Sequence, residues 1–307
     1  MEAPAVIKPV YFRIKRYALL LLLAVVLPGC SLFGDDDELQ IDTNSGEQQM
    51  YRQAQRYIDT NNFDLAISAL QQLESRYPFG KYAEQAQLEL IYAHHGAFEN
   101  EAAVEAADRF IRLHPQHPSV DYAFYMKGVA AYDLNKGFFA NIVPQDDSKR
   151  DVSGVREAFA EFSTLLTRYP NSRYAQDARA RMVYIRNMLA RHEIHVANYY
   201  FKRGAYMAAL KRGQNVVENM QETTAVADGL AVMTQAYLLL EMPDLASDTT
   251  RVLCLNYPEH PNLDSDCTFN GGYDAGGLER SWLNQVSLGL LDPPEAPQFD
   301  YRPGFES

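Results

Sequence analysis

Cysteine is scarce in this sequence: Cys30, Cys254 and Cys267 are the only three in 307 residues. No second ligand pair stands at zinc spacing, so a metal site is not expected. Basic charge is short as well. The 28 Lys and Arg face 40 Asp and Glu, for a net charge of -12, which argues against nucleic acid as a partner because phosphate binding needs clustered cations. Catalytic signatures are missing too: there is no Gly-rich phosphate loop, no His-Glu-x-x-His and no Gly-x-Ser-x-Gly. The chain therefore reads as a non-enzyme without a cofactor. His192 and His195 are three apart on a helical stretch but have no evident third ligand, and the neighbours His94 and His95 point apart. Beyond residue 27 there is no long apolar run, so nothing further along is expected to span a bilayer. What is present, 47% apolar residues, excludes disorder over most of the chain and supplies a core for one or two folded domains.

The N-terminus reverses the overall charge. Residues 1–16 carry Lys8, Arg13, Lys15 and Arg16 against Glu2, and an apolar run from Ala18 to Leu27 follows. That order is the layout of a secretory signal. The run ends in Leu27-Pro28-Gly29-Cys30, which resembles the bacterial lipobox, in which the Cys thiol is acylated and the signal is cut just before it. Residues 1–29 are thus expected to be a signal peptide and Cys30 a lipidated N-terminus, with Ser31 favouring the outer membrane. Removing the signal takes the charge from -12 to -15. Residues 30–46, with Asp35, Asp36, Asp37 and Glu38 in a row, are too polar to fold and are expected to tether the body to lipid. Cys254 and Cys267 remain as a pair in an oxidising compartment, where a disulfide is expected.

From residue 47 the apolar period is helical, as in Val155, Phe159, Phe162, Leu165 and Leu166. Helix ends recur as Arg76-Tyr77-Pro78, Leu113-His114-Pro115, Arg168-Tyr169-Pro170 and Asn256-Tyr257-Pro258, and two are followed by Lys81-Tyr82-Ala83 and Arg173-Tyr174-Ala175. Small residues at Ala54, Ala66, Ala103, Ala158, Ala209 and Ala246 let paired helices approach, large ones fill the space between pairs, and proline stops each unit. The period matches the tetratricopeptide pattern. The predicted fold is all-α, a tetratricopeptide-like superhelix of about five helical hairpins, with repeats in residues 47–135 and 155–258. The fourth repeat has Gln221 where the others close on proline. Residues 136–154 read as a loop inserted within the third hairpin, and its Phe138 and Phe139 need either the body or a partner to cover them. Residues 259–307 form an extension, with a short helix expected near 278–290 and an extended proline-rich end.

In such an array the first helices line the concave face. Their register directs Tyr51 and Ile58, Leu88 and Tyr92, and Tyr122, Tyr125 and Tyr132 to one groove, which suits an extended peptide because tyrosine gives large contact area at low rotamer cost. The second half places Arg191, Ile194, Asn198, Phe201 and Lys202 at the matching positions. The difference in chemistry points to two partners.

Several long stretches bring a family into view: Arg76-Tyr77-Pro78-Phe79-Gly80-Lys81-Tyr82, Gln87 through Ala93, Asp108 through Pro115, and Arg168 through Tyr174. Together they resemble the BamD family, lipoprotein subunits of the outer-membrane β-barrel assembly (BAM) complex. The resemblance covers roughly residues 47–250. It implies a periplasmic scaffold whose N-terminal repeats recognise C-terminal signals of unfolded outer-membrane proteins and hold the lipoprotein BamC, and whose C-terminal repeats dock a POTRA domain of BamA. The stretch Tyr199 through Ala205, continuing to Arg212, is similar to the family's BamA-facing stretch, so Arg212 is expected to pair with an acid on BamA, with Tyr199 beside it. Lys202, Arg203 and Lys211 extend that basic surface. A different reading of the same repeats is an envelope adaptor for cell-wall or division proteins.

Overall fold

A computed structural model describes residues 46–134, 146–271 and 296–302. Ten α-helices run through the described residues: α1 (Glu47–Asp59), α2 (Phe63–Arg76), α3 (Ala83–Gly96), α4 (Asn100–Leu113), α5 (Val120–Asp133), α6 (Ser153–Arg168), α7 (Ala175–Lys202), α8 (Tyr206–Asn219), α9 (Val226–Leu239) and α10 (Pro243–Asn256). Each helix packs on the next in sequence, giving five hairpins and the all-α tetratricopeptide-like architecture that the periodicity implies. The second helices repeat one packing rule. Ala66, Ala103, Ala158, Ala209 and Ala246 are at most 2% exposed, and four and seven residues on come the groups that fill the gap, such as Leu70 and Leu73 or Phe162 and Leu165.

Both kinds of turn are copied along the chain. Each second helix closes on an N–H from Tyr77, His114, Tyr169, Met220 or Tyr257 to the carbonyl four residues back, at 2.7–3.0 Å. The Met220 turn has the same bonds although Gln221 replaces proline, so the backbone bonds define the turn and proline only reinforces it. Four of the first helices end in a Schellman motif, with six-residue bonds Asn62 to Tyr57, Glu99 to His94, Ala205 to Tyr200 and Met242 to Tyr237 at 2.8–3.0 Å. The left-handed residue of each is Asn61, Phe98, Gly204 or Glu241, with φ between 55° and 68°. Only Gly204 adopts that conformation without cost.

Two departures break the regularity. The third hairpin holds the insertion, whose described end forms a 3-10 turn, Asp147–Lys149. Two bonds tie Ser148 to α7, its carbonyl to His192 Nδ1 at 2.8 Å and its hydroxyl to His195 Nε2 at 3.0 Å, and its N–H and hydroxyl also bond Asp146 Oδ1. Phe138 and Phe139 lie outside the described residues. The second departure is α7, which at 28 residues is twice the 14 of α8 or α9. The extra 14 residues are almost four helical turns, so the face presented to the next helix stays in phase.

After α10 the chain repeats the inter-hairpin turn once more, His260 N–H to Tyr257 O and Leu263 N–H to His260 O, but no helix follows among the described residues. Instead Cys254 and Cys267 are joined by a disulfide, with their Cα atoms 5.7 Å apart. Residues 296–302 return to the body as an extended strap in which Phe299 is 1% exposed. The helix expected near 278–290, the signal peptide, Cys30 and nearly all of the acidic tether lie outside the described residues. Among the described residues no helix is long and apolar enough to cross a membrane.

Candidate functional site

The first helices of the N-terminal hairpins meet at a groove of about 310 Å³. Gln55, Ile58 and Asp59 come from α1, Gln85, Leu88, Glu89 and Tyr92 from α3, Tyr122 from α5, and Arg173 and Tyr174 from the turn ahead of α7. Leu88 is 3% exposed and forms an apolar floor, whereas Tyr92 stands 41% exposed at the rim with its ring edge on Phe63. Burial, and then the rings of Tyr174 and Tyr92, push the Tyr122 phenol well above its ordinary pKa. It therefore stays a neutral donor and acceptor.

Tyr51, Tyr125 and Tyr132 are not among the residues that line this groove. Tyr51 is stacked on Tyr82 at 4.5 Å and 15°, and Tyr125 on Tyr174 at 4.8 Å and 16°. The same device is thus used twice, the tyrosine after the inter-hairpin turn covering a tyrosine of a first helix. Tyr125 also donates to Asp177 at 2.7 Å, and Tyr132 sets its ring edge against Tyr184 at 6.3 Å.

Tyr51 supports the groove indirectly. Its hydroxyl donates to Glu89 Oε1, which also accepts from Gln55 Nε2 at 3.2 Å and Gln85 Nε2 at 3.0 Å. The other carboxylate oxygen, Oε2, is buried and has no partner among the described residues. A buried acceptor left open is costly unless a ligand N–H reaches it. Glu89, Arg173 and Tyr174 were not among the expected site residues, although Tyr174 was accessible through the Lys81-Tyr82-Ala83 and Arg173-Tyr174-Ala175 echo. Arg173 lies over the Tyr174 ring at 5.1 Å, so the groove holds a cation at one end and Glu89 within.

The basic stretch spans the end of α7, the turn after it and the first half of α8. Tyr199 is 52% exposed, with its hydroxyl accepting from Arg203 Nε at 3.1 Å and the guanidinium lying over its ring at 5.2 Å. Lys202, Arg203 and Lys211 are exposed. Arg212 differs: its Nη1 donates to Glu193 at 2.9 Å and its guanidinium lies over Tyr200. The Glu193 side chain is 4% exposed and also faces Arg156 at 3.4 Å, so a buried carboxylate already sits between two cations.

His195, Asp146 and Asp300 approach closely enough to hold a metal ion. Arg302, however, already bonds both carboxylates, a fixed cation in that place.

The family model for the YfiO outer membrane lipoproteins matches residues 43–253. Outer membrane protein assembly factor BamD of Neisseria meningitidis serogroup B is 40% identical over 250 residues, covering 81% of this chain and 94% of the relative. The BamD of Vibrio cholerae is 35% identical over 225 residues, 73% of this chain and 93% of the relative, and that of Xylella fastidiosa strain Temecula1 is 33% identical over 257 residues, 83% and 87%. Similarity of this extent spans the helices that build both the groove and the basic turn, and the chain belongs to the BamD family of outer membrane protein assembly factors.

Proposed function

We propose that this chain is a periplasmic scaffold of outer-membrane protein assembly, held at the outer membrane by acyl chains on Cys30, that binds a C-terminal segment of unfolded barrel proteins in the groove between α1, α3 and α5. The lining of the groove carries the reading: tyrosine walls, an apolar Leu88 floor and the Glu89 carboxylate offer an extended peptide an aromatic pocket and a backbone N–H acceptor. Tyr92, Tyr122 and Tyr174 take an aromatic side chain of the peptide, and Arg173 attracts its carboxylate. The exposed cations Lys202, Arg203 and Lys211 form the docking surface for an acidic face of a BamA-like POTRA domain. BamC and other assembly lipoproteins belong to the same assembly in this reading.

The test is a photocrosslinking peptide ending in an aromatic residue, taken from the C-terminus of an outer-membrane barrel. Crosslinks to Tyr92 and Tyr122 that unlabelled barrel substrate competes away, and that weaken at least about tenfold in Glu89→Gln, are expected, since one charge-assisted bond is worth about 1.5–3 kcal/mol. Labelling that no barrel substrate displaces overturns the assignment. The envelope-adaptor alternative is distinguished by affinity purification of the unaltered chain and of Lys202→Glu: a scaffold of barrel assembly loses a BamA-like chain selectively.

A further inference from the structure

The positions that line the N-terminal groove have counterparts on α7, and there they are filled. Asn198 holds both backbone groups of Phe299, its Oδ1 accepting the N–H at 3.0 Å and its Nδ2 donating to the carbonyl at 2.8 Å. Two residues along, the N–H of Tyr301 donates to Asp228 Oδ2 at 2.8 Å and its carbonyl accepts from Arg191 Nη2 at 2.9 Å. Phe299 lies against Phe201 with ring centroids 5.9 Å apart, and Tyr301 sets against His260 at 5.1 Å. The strap ends where Arg302 bonds Asp146, at the edge of the insertion. Holding alternate residues, Phe299 and Tyr301, by their backbone groups, with the aromatic side chain of the first buried, is the manner in which an extended peptide is recognised. The backbone clamps read no side chain, so they accept any segment that is extended and brings the aromatic group.

We propose that the face between α7 and α9 is a second extended-peptide site, occupied in cis by residues 296–302, and that it takes a partner segment with phenylalanine followed three residues later by Arg or Lys when the strap leaves. The phenylalanine replaces Phe299 against Phe201, and the cation replaces Arg302 on Asp146. A cis occupant tied to the same chain competes at a high effective concentration, so the site is closed to weak ligands and open to a tethered or tight one.

The experiment uses the full chain carrying Phe299→Asp, its fold checked by circular dichroism, and a fluorescein-labelled peptide of residues 296–302. Polarisation is expected to show binding at least about tenfold tighter than to the unaltered chain, lost when the peptide carries the same Asp and lost again when Asn198→Ala is added. Equal binding to both chains, or binding that survives Asn198→Ala, overturns the proposal. If Phe299→Asp does not fold, a protease site placed within residues 272–295 of the unaltered chain severs the strap after folding. Exchange of the severed strap for excess labelled peptide then supports the site, and retention of the strap against that excess refutes it.

Discussion

Charge reversal at Arg212 is an obvious way to probe a basic docking surface, and the structure predicts that it does something else first. Arg212 faces Glu193, whose side chain is 4% exposed, while its own is 39% exposed. Replacing it with Glu sets two carboxylates against each other, one of them unable to leave. At an effective dielectric near 20 and about 4 Å, like charges repel by about 4 kcal/mol. The new side chain, half in solvent, swings outward and relieves part of this, and Arg156 still faces Glu193 at 3.4 Å. With loss of the original pair, screened by exposure and worth about 1 kcal/mol, the net destabilisation is about 3 kcal/mol. Arg212→Ala, which removes attraction without adding repulsion, should cost about 1 kcal/mol. Urea unfolding followed by far-UV circular dichroism reads both, and the double variant Arg212→Glu, Glu193→Gln should recover about 2 kcal/mol because the repulsion has gone. An Arg212→Glu midpoint equal to that of the unaltered chain, or no recovery in the double variant, would refute the assignment of Glu193 as the partner. Lys202→Glu and Arg203→Glu perturb exposed side chains and are the cleaner probes of docking.

Glu241→Gly should stabilise by about 1 kcal/mol, because Glu241 sits at φ 58° in the Schellman turn where Gly204 sits in the preceding hairpin at φ 68°; thermal unfolding with no gain contradicts the reading of that turn. Acid should loosen the strap. Burial raises the Asp146 carboxyl, but bonds from Ser148 and Arg302 outweigh it and hold the group below its ordinary range. Its ionised form is therefore favoured by folding, so the contribution is whole above about pH 4 and is lost as the pH falls below that. Urea midpoints followed from pH 6 downward should drop more steeply for the unaltered chain than for Asp146→Asn, and identical slopes would count against the link.

The sequence carries its repeats openly because they are local: small residue, large residue, terminal tyrosine and proline are each set by neighbours within one hairpin. That made the five buried alanines and the α7 positions Arg191, Ile194, Asn198 and Phe201 legible. What those α7 positions touch was not, since Phe299 lies 101 residues from Asn198 and no periodicity links them. Glu89 is not legible in the sequence because a charge on a helix normally marks a solvated face, whereas here three donors cover one of its oxygens. Helical register alone directs Tyr51 and Tyr125 to the groove. The stacking of Tyr82 and Tyr174 over them depends on turn geometry that register does not encode.

The length of α7 has a mechanical meaning. A helix of 28 residues is a strut of about 42 Å, and between Ala175 and Lys202 it has neither proline nor glycine to give way. Its N-terminal end adjoins Arg173 and Tyr174 of the aromatic groove, and its C-terminal end carries Tyr199 and Lys202. A load taken up at one end is therefore delivered to the other without a hinge between them. The aromatic groove and the basic turn are thus kept at a fixed distance and a fixed bearing.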